Sequence, residues 1–254
     1  MKKLTTLLIA FTLCMTAFSQ SLPKKIVKTD LAAGLNMNGG NNPFYGATFK
    51  LTHSKETGPW EFSFTPTFNL AYASIGESPK LTRREGYCAT SVQHNLGKEW
   101  KVLGFSEVDH SFIRKIDARW NAGGGVGRKW AFKKLEIGLS EVFLGEGLSI
   151  NNPAVDNYFV IRSSTRAKFE YKTSFGSISS ISFIQPALYT NQGIGLNNHF
   201  ILRSQNKLSI STSETTSVGI TYDVNYQSYP AYLNSNVLPM DWGTTVFFVY
   251  KISK

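Results

Sequence analysis

Charged side chains recur at every second position in several stretches of this sequence. In RSSTRAKFEYK at residues 162–172, Arg162, Arg166, Lys168 and Glu170 all occupy even positions. Successive side chains of an extended chain point to opposite sides, so these groups would share one face of a strand. If that face is enclosed, its acids and bases either form ion pairs or attract a charged solute. The pattern predicts nine lining residues, which are Glu61, Asp117, Arg119, Arg162, Arg166, Lys168, Glu170, Arg203 and Asp223.

The four histidines could support hydrolysis if one of them lay beside a serine hydroxyl. On a single strand face such a pair needs the spacing His-x-Ser. The residues two places after the histidines are Lys55, Leu96, Phe112 and Ile201. The spacing leaves open a site built across strands around His94 or His199. We rank a lipid hydrolase last among the candidate functions, and we expect no catalytic residues.

The glycine run GGGVG at 123–127 has the composition of a phosphate-binding loop. That fingerprint must lie between a strand and a helix, and no helical periodicity follows here. Glycines within a strand more often mark a bend or a close approach of neighbouring groups, which is the role we predict. The histidines are scattered and Cys88 has no partner cysteine, so we expect neither a metal ion nor a cofactor.

The elements that carry these residues alternate between apolar and polar side chains, as β-strands do. In PWEFSFTPTFNLAY at 59–72, every even position from Trp60 to Tyr72 is apolar. Pro66 lies among them and removes a hydrogen-bond donor, so we expect an irregular ladder there. The stretch 195–226 can be divided in more than one way, and we prefer a break between 210 and 217. The predicted strands are 30–38, 43–53, 59–72, 83–95, 100–108, 116–129, 134–144, 158–171, 176–187, 196–210, 217–228 and 241–252.

Short and long connections alternate between these strands. The tight ones are HSKETG, LGKE, AFKK, TSF and SETT, and longer ones such as SIGESPKLT, VDHSFIRK and GEGLSINNPAVD come between them. Short turns at one end and long loops at the other are typical of outer-membrane barrels, whose strand number is even. A sandwich has no reason to sort its connections in this way. We therefore predict an all-β, antiparallel up-and-down transmembrane β-barrel of about twelve strands.

The N-terminal segment has the features of a cleaved secretory signal. Met1-Lys2-Lys3 is positive, residues 4–17 are largely apolar, and Ala17-Phe18-Ser19 has the small-x-small form of a cleavage site. Residues 1–19 are therefore predicted to be a signal peptide, and residues 20–254 one outer-membrane barrel domain. The formal net charge of +10 would suit nucleic acid or an anionic membrane surface, and export favours the membrane. The expected partners are outer-membrane lipid and, during biogenesis, the barrel assembly machinery, with no nucleic acid and with a monomer favoured.

Several segments together resemble a family of uncharacterised domains that includes salt-stress-induced outer-membrane proteins. They are the turn NGGN at 38–41, RREGY at 83–87, DARWNAGGGVGRKW at 117–130, RSSTRAKFEYK at 162–172 and YQSYP at 226–230. The resemblance runs from about Asn38 to Tyr250 and implies a single outer-membrane barrel of unsettled biochemical role. It implies no catalytic residues. The chain departs from many such barrels by ending in Lys254 rather than in the aromatic residue that the assembly machinery reads.

Two function classes follow from these expectations. The first is a structural or stress-related envelope barrel, plugged by arginines that cross the lumen to carboxylates such as Asp117, Glu61 or Asp223. The second is a pore for small solutes that favours anions. Both function classes imply the same orientation for the predicted strand 217–228. Its lipid-facing residues are Val218, Ile220, Tyr222, Val224 and Tyr226, and its interior residues include Asp223 and Asn225.

Overall fold

The computed structural model describes residues 25–39, 44–75, 78–111, 116–150, 158–191, 199–228 and 240–253. These residues include twelve strands. The strands are β1 (Lys25–Gly39), β2 (Phe44–Thr57), β3 (Trp60–Ile75), β4 (Ser78–Leu96), β5 (Trp100–Ser111), β6 (Ile116–Ala131), β7 (Leu135–Ile150), β8 (Tyr158–Lys172), β9 (Gly176–Thr190), β10 (Phe200–Ser211), β11 (Thr216–Gln227) and β12 (Met240–Ser253). The signal peptide predicted at residues 1–19 lies outside the described residues and stays a prediction.

The strands form one closed antiparallel barrel in which each pairs with its neighbours in sequence. The first and last strands close it, because Leu31 of β1 lies opposite both Leu51 of β2 and Tyr250 of β12. This confirms the predicted up-and-down barrel of twelve strands. Within the described part of the chain, no helix is long and apolar enough to cross a membrane.

Alternation along the strands separates an apolar outer surface from a polar interior. On β11, Val218, Ile220 and Tyr222 are 41%, 42% and 46% exposed. Their neighbours Thr221 and Asp223 line the central cavity. Val218, Ile220 and Tyr222 thus face outward as predicted, whereas Val224, also predicted to face lipid, is among the residues that line the cavity. An outer surface of exposed apolar side chains is stabilised by contact with the hydrocarbon of a bilayer, and closure leaves no unpaired edge in it.

The two ends of the barrel differ in their connections. At one end, which we call the turn end, the connections are residues 58–59, 97–99, 132–134, 173–175 and 212–215. Gly58 and Gly97 take positive φ angles of 58° and 77° in two of these turns, as a tight reversal requires. The break between 210 and 217 is confirmed, because β10 ends at Ser211 and β11 begins at Thr216.

At the other end, which we call the loop end, several strands continue into stretches that the sequence predicted to be loops. β3 runs to Ile75 and β4 begins at Ser78, within the predicted loop SIGESPKLT. Similarly, β5 continues to Ser111 and β7 to Ile150. Strand pairing beyond the bilayer satisfies backbone groups that a loop would leave to water, which accounts for the longer strands.

Two local irregularities that the sequence predicted are present in the sheet. The β2–β3 ladder pairs Lys50 with Thr67 and His53 with Phe64 but has no pairs between them, at the level of Pro66. On β6, a Cβ at Gly123 or Gly125 would overlap the carbonyl oxygens of Phe143 and Glu141 on β7. These glycines therefore allow a close approach of β6 and β7.

Aromatic side chains surround the turn end, as the boundary between hydrocarbon and headgroups favours. Trp60 and Trp100 are 43% and 50% exposed. The Arg128 guanidinium lies 5.4 Å from the Trp100 ring centroid and 5.1 Å from that of Trp130. The cation is thus held among aromatic rings at the level where anionic headgroups would lie.

Candidate functional site: the charged lumen

The interior of the barrel holds a cavity of about 870 Å³ to which all twelve strands contribute side chains or backbone. Its lining is mixed, with small polar residues, a few aromatic rings and charged groups of both signs. The charged residues that line it are Lys50, Glu107, Asp109, Arg119, Glu146, Arg166, Arg203, Lys207 and Asp223. The chemistry that such an interior can offer is electrostatic contact with a solute.

A buried ion pair lies against the wall near the loop end. Arg162 of β8 is fully buried, and its Nε donates to Glu146 Oε2 of β7 at 2.9 Å. Its Nη1 also donates to the His199 carbonyl oxygen at 3.4 Å. Val160 and Ile201, with relative exposures of 0% and 1%, pack in the apolar cluster beside it. A guanidinium can be buried this completely only because its charge and its donors are satisfied.

His199, which precedes β10, completes this cluster. Its side chain is 1% exposed, and its Nδ1 lies 3.1 Å from Arg162 Nη2. Because a guanidinium only donates, the imidazole Nδ1 must be the acceptor in this bond. Burial, and then the positive charge of Arg162, lower the pKa of His199 to about 4. The imidazole is therefore neutral at physiological pH and orients the guanidinium without opposing its charge.

A second set of paired groups lies on β4, β5 and β6. Arg119 Nε donates to Asp109 Oδ2 at 2.8 Å. Glu107 accepts from Asn121 Nδ2 at 2.6 Å and from the Tyr87 hydroxyl at 3.0 Å. Asp109 belongs to VDHSFIRK, which the sequence predicted to be a loop, and this was wrong for Asp109 because β5 continues through it. Alternation along β5 then turns the Asp109 carboxylate inward.

Four basic residues carry charges that no contacting carboxylate neutralises. They are Lys50 of β2, Lys101 of β5, Arg166 of β8 and Lys207 of β10, and we call them the basic ring. Within the described residues, no carboxylate forms an ion pair with any of the four. Their strands are spread around the barrel, so positive charge faces the lumen from several sides.

Neutral groups hold three of the four side chains of the basic ring. Lys207 Nζ lies 4.5 Å from the Phe247 ring centroid, and the Arg166 guanidinium lies 5.6 Å from that of Phe183. Lys101 Nζ donates to Gln93 Oε1 at 2.7 Å. Contacts with rings and amides orient a cation without cancelling its charge. A solute anion could therefore replace water at these groups.

The acidic groups of the lumen are engaged more closely than the basic ring. Glu146 and Asp109 pair with arginines. Glu107 accepts two hydrogen bonds, and Asp223 Oδ1 accepts one from Gln205 Nε2 at 2.7 Å. The two arginine pairs offset the charges of Glu146 and Asp109, whereas Glu107 and Asp223 are held by neutral groups and keep theirs. The cations of the basic ring outnumber these two remaining acids.

The nine residues predicted to line the lumen occupy different positions in the barrel. Arg119, Arg166, Arg203 and Asp223 line the cavity. Arg162 lies in the buried cluster, and Lys168 pairs with Glu136 and Glu170 at 3.1 and 2.8 Å. Glu61 of β3 lies opposite Glu56 and Gln93 in its two ladders. The side chain of Asp117 lies outside the described residues. A functional role for these nine residues stays a prediction.

The ion-pair partners differ from those that the sequence suggested. Arginines were expected to reach Asp117, Glu61 or Asp223, whereas Arg162 pairs with Glu146 and Arg119 with Asp109. Every ion pair between described residues is formed on one wall of the barrel. The two partners lie on neighbouring strands or on the same strand, except that Arg128 of β6 pairs with Glu99 in the turn before β5. Adjacent positions on one wall are only about 5 Å apart, so they meet more readily than groups across the barrel.

Sequence reasoning missed Lys50, Lys207, Glu107 and Glu146 as interior residues. Alternation could have identified Lys50, since it follows Thr48 by two positions in a predicted strand. Alternation could also have identified Glu107, since it occupies an odd position, like Lys101, in the predicted strand 100–108. Glu146 and His199 could not be found in this way, because the sequence assigned the first to a loop and gave no partner for the second.

The fold and the lumen can now be compared with known proteins. The model of the family described as "Protein of unknown function, DUF481" matches residues 31–252. The chain belongs to this family. That description names no salt stress, so the association with salt stress stays a prediction. A search of curated proteins found no match.

Solved structures with a similar fold include two porins. The NanC porin superimposes with a TM-score of 0.59 at 11% identity, covering 87% of this chain and all of its own. The KdgM porin gives a TM-score of 0.51 at 8% identity, covering 87% of this chain and 98% of its own. At such low identity the likeness establishes the fold alone, which is that of a porin-like outer-membrane barrel.

His94 and His199, which the sequence left open as catalytic candidates, lie in different parts of the barrel. The His94 ring contacts the Trp60 ring in a tilted arrangement with centroids 4.3 Å apart, and its Nδ1 is buried without a hydrogen-bond partner. His199 contacts Arg162 in the buried cluster. The absence of an enzyme activity remains an expectation.

Proposed function

We propose that this protein is an outer-membrane diffusion channel for small solutes that favours anions, with its turn end in the periplasm. The basic ring is the observation that carries the proposal. Lys50, Arg166 and Lys207 line the interior cavity, and Lys101 lies on the same face of β5 as the cavity residue Leu103. Among the described residues no carboxylate pairs with any of the four, and the surrounding wall has the porin-like fold. The two solved structures of similar fold are themselves named as porins, which supports a role in passage.

The preference for anions follows from electrostatics in a narrow interior. Low-dielectric walls focus the field of charges that face a confined aqueous path. Rings of lysine and arginine favour anions in pores for this reason. Lys50, Arg166 and Lys207 line the same cavity, so their fields add within it. The acids nearest the loop end are held by arginines and contribute less.

A second candidate function is a structural barrel whose lumen is closed. The cluster of Arg162, Glu146 and His199 favours it, because fully buried charges resist displacement. However, this cluster is built from β7, β8 and the residue before β10, which are close together on one wall. We therefore place the structural role second and assign the cluster to the rigidity of that wall.

Conductance in a planar bilayer tests the proposal. The variant Lys50→Gln, Arg166→Gln, Lys207→Gln should still conduct, but its reversal potential in a salt gradient should move towards cation preference. The control Lys98→Gln, Lys133→Gln, Lys134→Gln removes three charges from the turns and should keep the reversal potential of the natural protein. A silent natural protein would overturn the channel and favour the structural barrel.

A further inference from the structure

The outer wall of the barrel carries a group of polar side chains on β7 to β10. They are Glu141, Thr165, Ser180, Ser182, Ser204 and Asn206, and we call them the polar patch. Alternation points them away from the lumen, since Ser140 and Ser164 next to them line the cavity, and Leu202 and Leu208 on the same face of β10 are 38% and 44% exposed. Apolar neighbours on the same face are well exposed, with Phe143 at 61% and Ile184 at 56%.

The polar patch lies at the depth of the bilayer hydrocarbon. Glu141 is the seventh residue of β7 from the turn end, and Ser182 is the seventh of β9. Counted from the same end of β10, Asn206 is the sixth residue and Ser204 the eighth. A strand needs about 9–11 residues to span the membrane, so these positions lie inside the span rather than at its borders.

Hydrogen bonds connect the members of the patch to one another. Thr165 Oγ1 donates to Glu141 Oε2 at 2.5 Å, and the Ser163 hydroxyl also donates to the Glu141 carboxylate. Ser180 Oγ donates to Asn206 Oδ1 at 2.8 Å, and the hydroxyls of Ser182 and Ser204 are 3.2 Å apart. Asn206 Nδ2 also donates to Ser204 Oγ at 3.3 Å, so one amide hydrogen of Asn206 and several oxygen lone pairs remain without a partner in lipid.

An arrangement of this kind is unfavourable if lipid covers it. Polar and ionisable side chains on the lipid face of a barrel destabilise it, most strongly near the midplane. A protein surface with complementary hydrogen-bonding groups would remove that penalty. Serine hydroxyls and the asparagine amide each donate and accept, so a second copy of the same surface is complementary to them.

We propose that the polar patch is the contact surface between two copies of this chain, in place of the monomer that the sequence favoured. Copies inserted in one orientation can be related by a two-fold axis along the membrane normal. If that axis passes between β8 and β9, β7 of each copy faces β10 of the other. Glu141 then lies at the same depth as Asn206 of the second copy, so that its carboxylate can accept from that amide. The two-fold axis repeats this contact, so it occurs twice in the dimer.

Cross-linking in membranes tests the contact. The variants carry Cys88→Ser, which removes the only cysteine outside the predicted signal. Ser182→Cys places a thiol beside the proposed axis, and Leu51→Cys places one on the opposite wall, seventh from the turn end of β2. A short bismaleimide should link Ser182→Cys chains into dimers at least about tenfold more than Leu51→Cys chains. Equal or absent cross-linking would overturn the proposal.

A second measurement separates an interface from a surface that lipid covers. Glu141→Leu with Asn206→Leu should weaken the dimer about tenfold or more in lipid nanodiscs, as read by mass, without loss of barrel folding. The control Thr90→Leu with Ser106→Leu replaces outward polar residues on β4 and β5 and should leave the dimer intact. A natural protein of monomeric mass, or a dimer that the first pair leaves unchanged, would contradict the contact.

Discussion

At the scale of single residues, the buried pair of Arg162 and Glu146 shows how strongly context decides the effect of a charge. Their side chains are 0% and 3% exposed, and their ion pair is 2.9 Å long. The pair of Lys28 and Glu56 is shorter, at 2.6 Å, but its side chains are 51% and 39% exposed. Water screens the second pair and not the first, so distance alone does not rank their contributions to stability.

This contrast predicts the effect of removing one partner. Glu146→Leu leaves Arg162 buried without its counter-charge and should lower the free energy of unfolding by about 3–5 kcal/mol. Glu56→Leu should cost at most about 1 kcal/mol, because its pair is exposed. Urea unfolding in detergent micelles, followed by the change in gel migration on unfolding, measures both. A similar cost for the two variants would show that Arg162 is hydrated in the folded barrel.

The double variant Glu146→Leu, Arg162→Met tests whether the cost of Glu146→Leu comes from the uncompensated charge of Arg162. It removes both charges and leaves apolar side chains beside Val160 and Ile201. Replacement of a buried pair by apolar residues is often neutral or stabilising, so this variant should recover most of the stability that Glu146→Leu loses. A double variant as unstable as the single one would assign the loss to packing rather than to charge.

At the scale of elements, β6 and β7 owe their close approach to glycine. A Cβ at Gly125 would overlap the Glu141 carbonyl oxygen and crowd the Val142 backbone. By contrast, a Cβ at Gly86 on β4 would meet nothing within 4 Å. The glycine run is therefore required where the strands approach, and composition alone does not distinguish such a glycine from a dispensable one.

Alanine at these two positions tests the argument. Gly125→Ala should destabilise the barrel by about 2 kcal/mol or more, because β6 must move away from β7. Gly86→Ala should change stability by less than about 1 kcal/mol, and alanine suits a strand slightly better than glycine does. The same urea titration compares the two variants. Equal stability of both would show that the sheet relaxes around Gly125 at little cost.

At the scale of the whole molecule, closure and an apolar outer wall make the barrel dependent on an amphiphile. We expect the mature protein to fold in detergent, to give a circular dichroism spectrum dominated by sheet, and to migrate differently on a denaturing gel before and after boiling. Detergent covers the outer wall, whereas water would leave large apolar side chains such as Leu35 and Phe143 exposed. A mature protein that stays folded and soluble without detergent would contradict this.

Most of the fold could be predicted because it rests on local patterns. The period of two identified all twelve strands, and the connections between them indicated the closed sheet. The ends of the strands at the loop end were harder to predict from the sequence. Polar residues such as those at 74–82 occur both in loops and in strands that extend beyond the bilayer. Local sequence reports which face a residue takes, but not where pairing stops.

The sequence by itself determined the architecture, because alternation and turn residues act over a few positions, and it determined the inward direction of Arg166 and Asp223. Only the tertiary structure decided the partners within the lumen. Arg162 pairs with Glu146 and contacts His199, which are 16 and 37 positions away and come together through the pairing of β7, β8, β9 and β10. Which charges remain for a solute therefore depends on strand pairing, a property of the closed sheet that no single segment encodes.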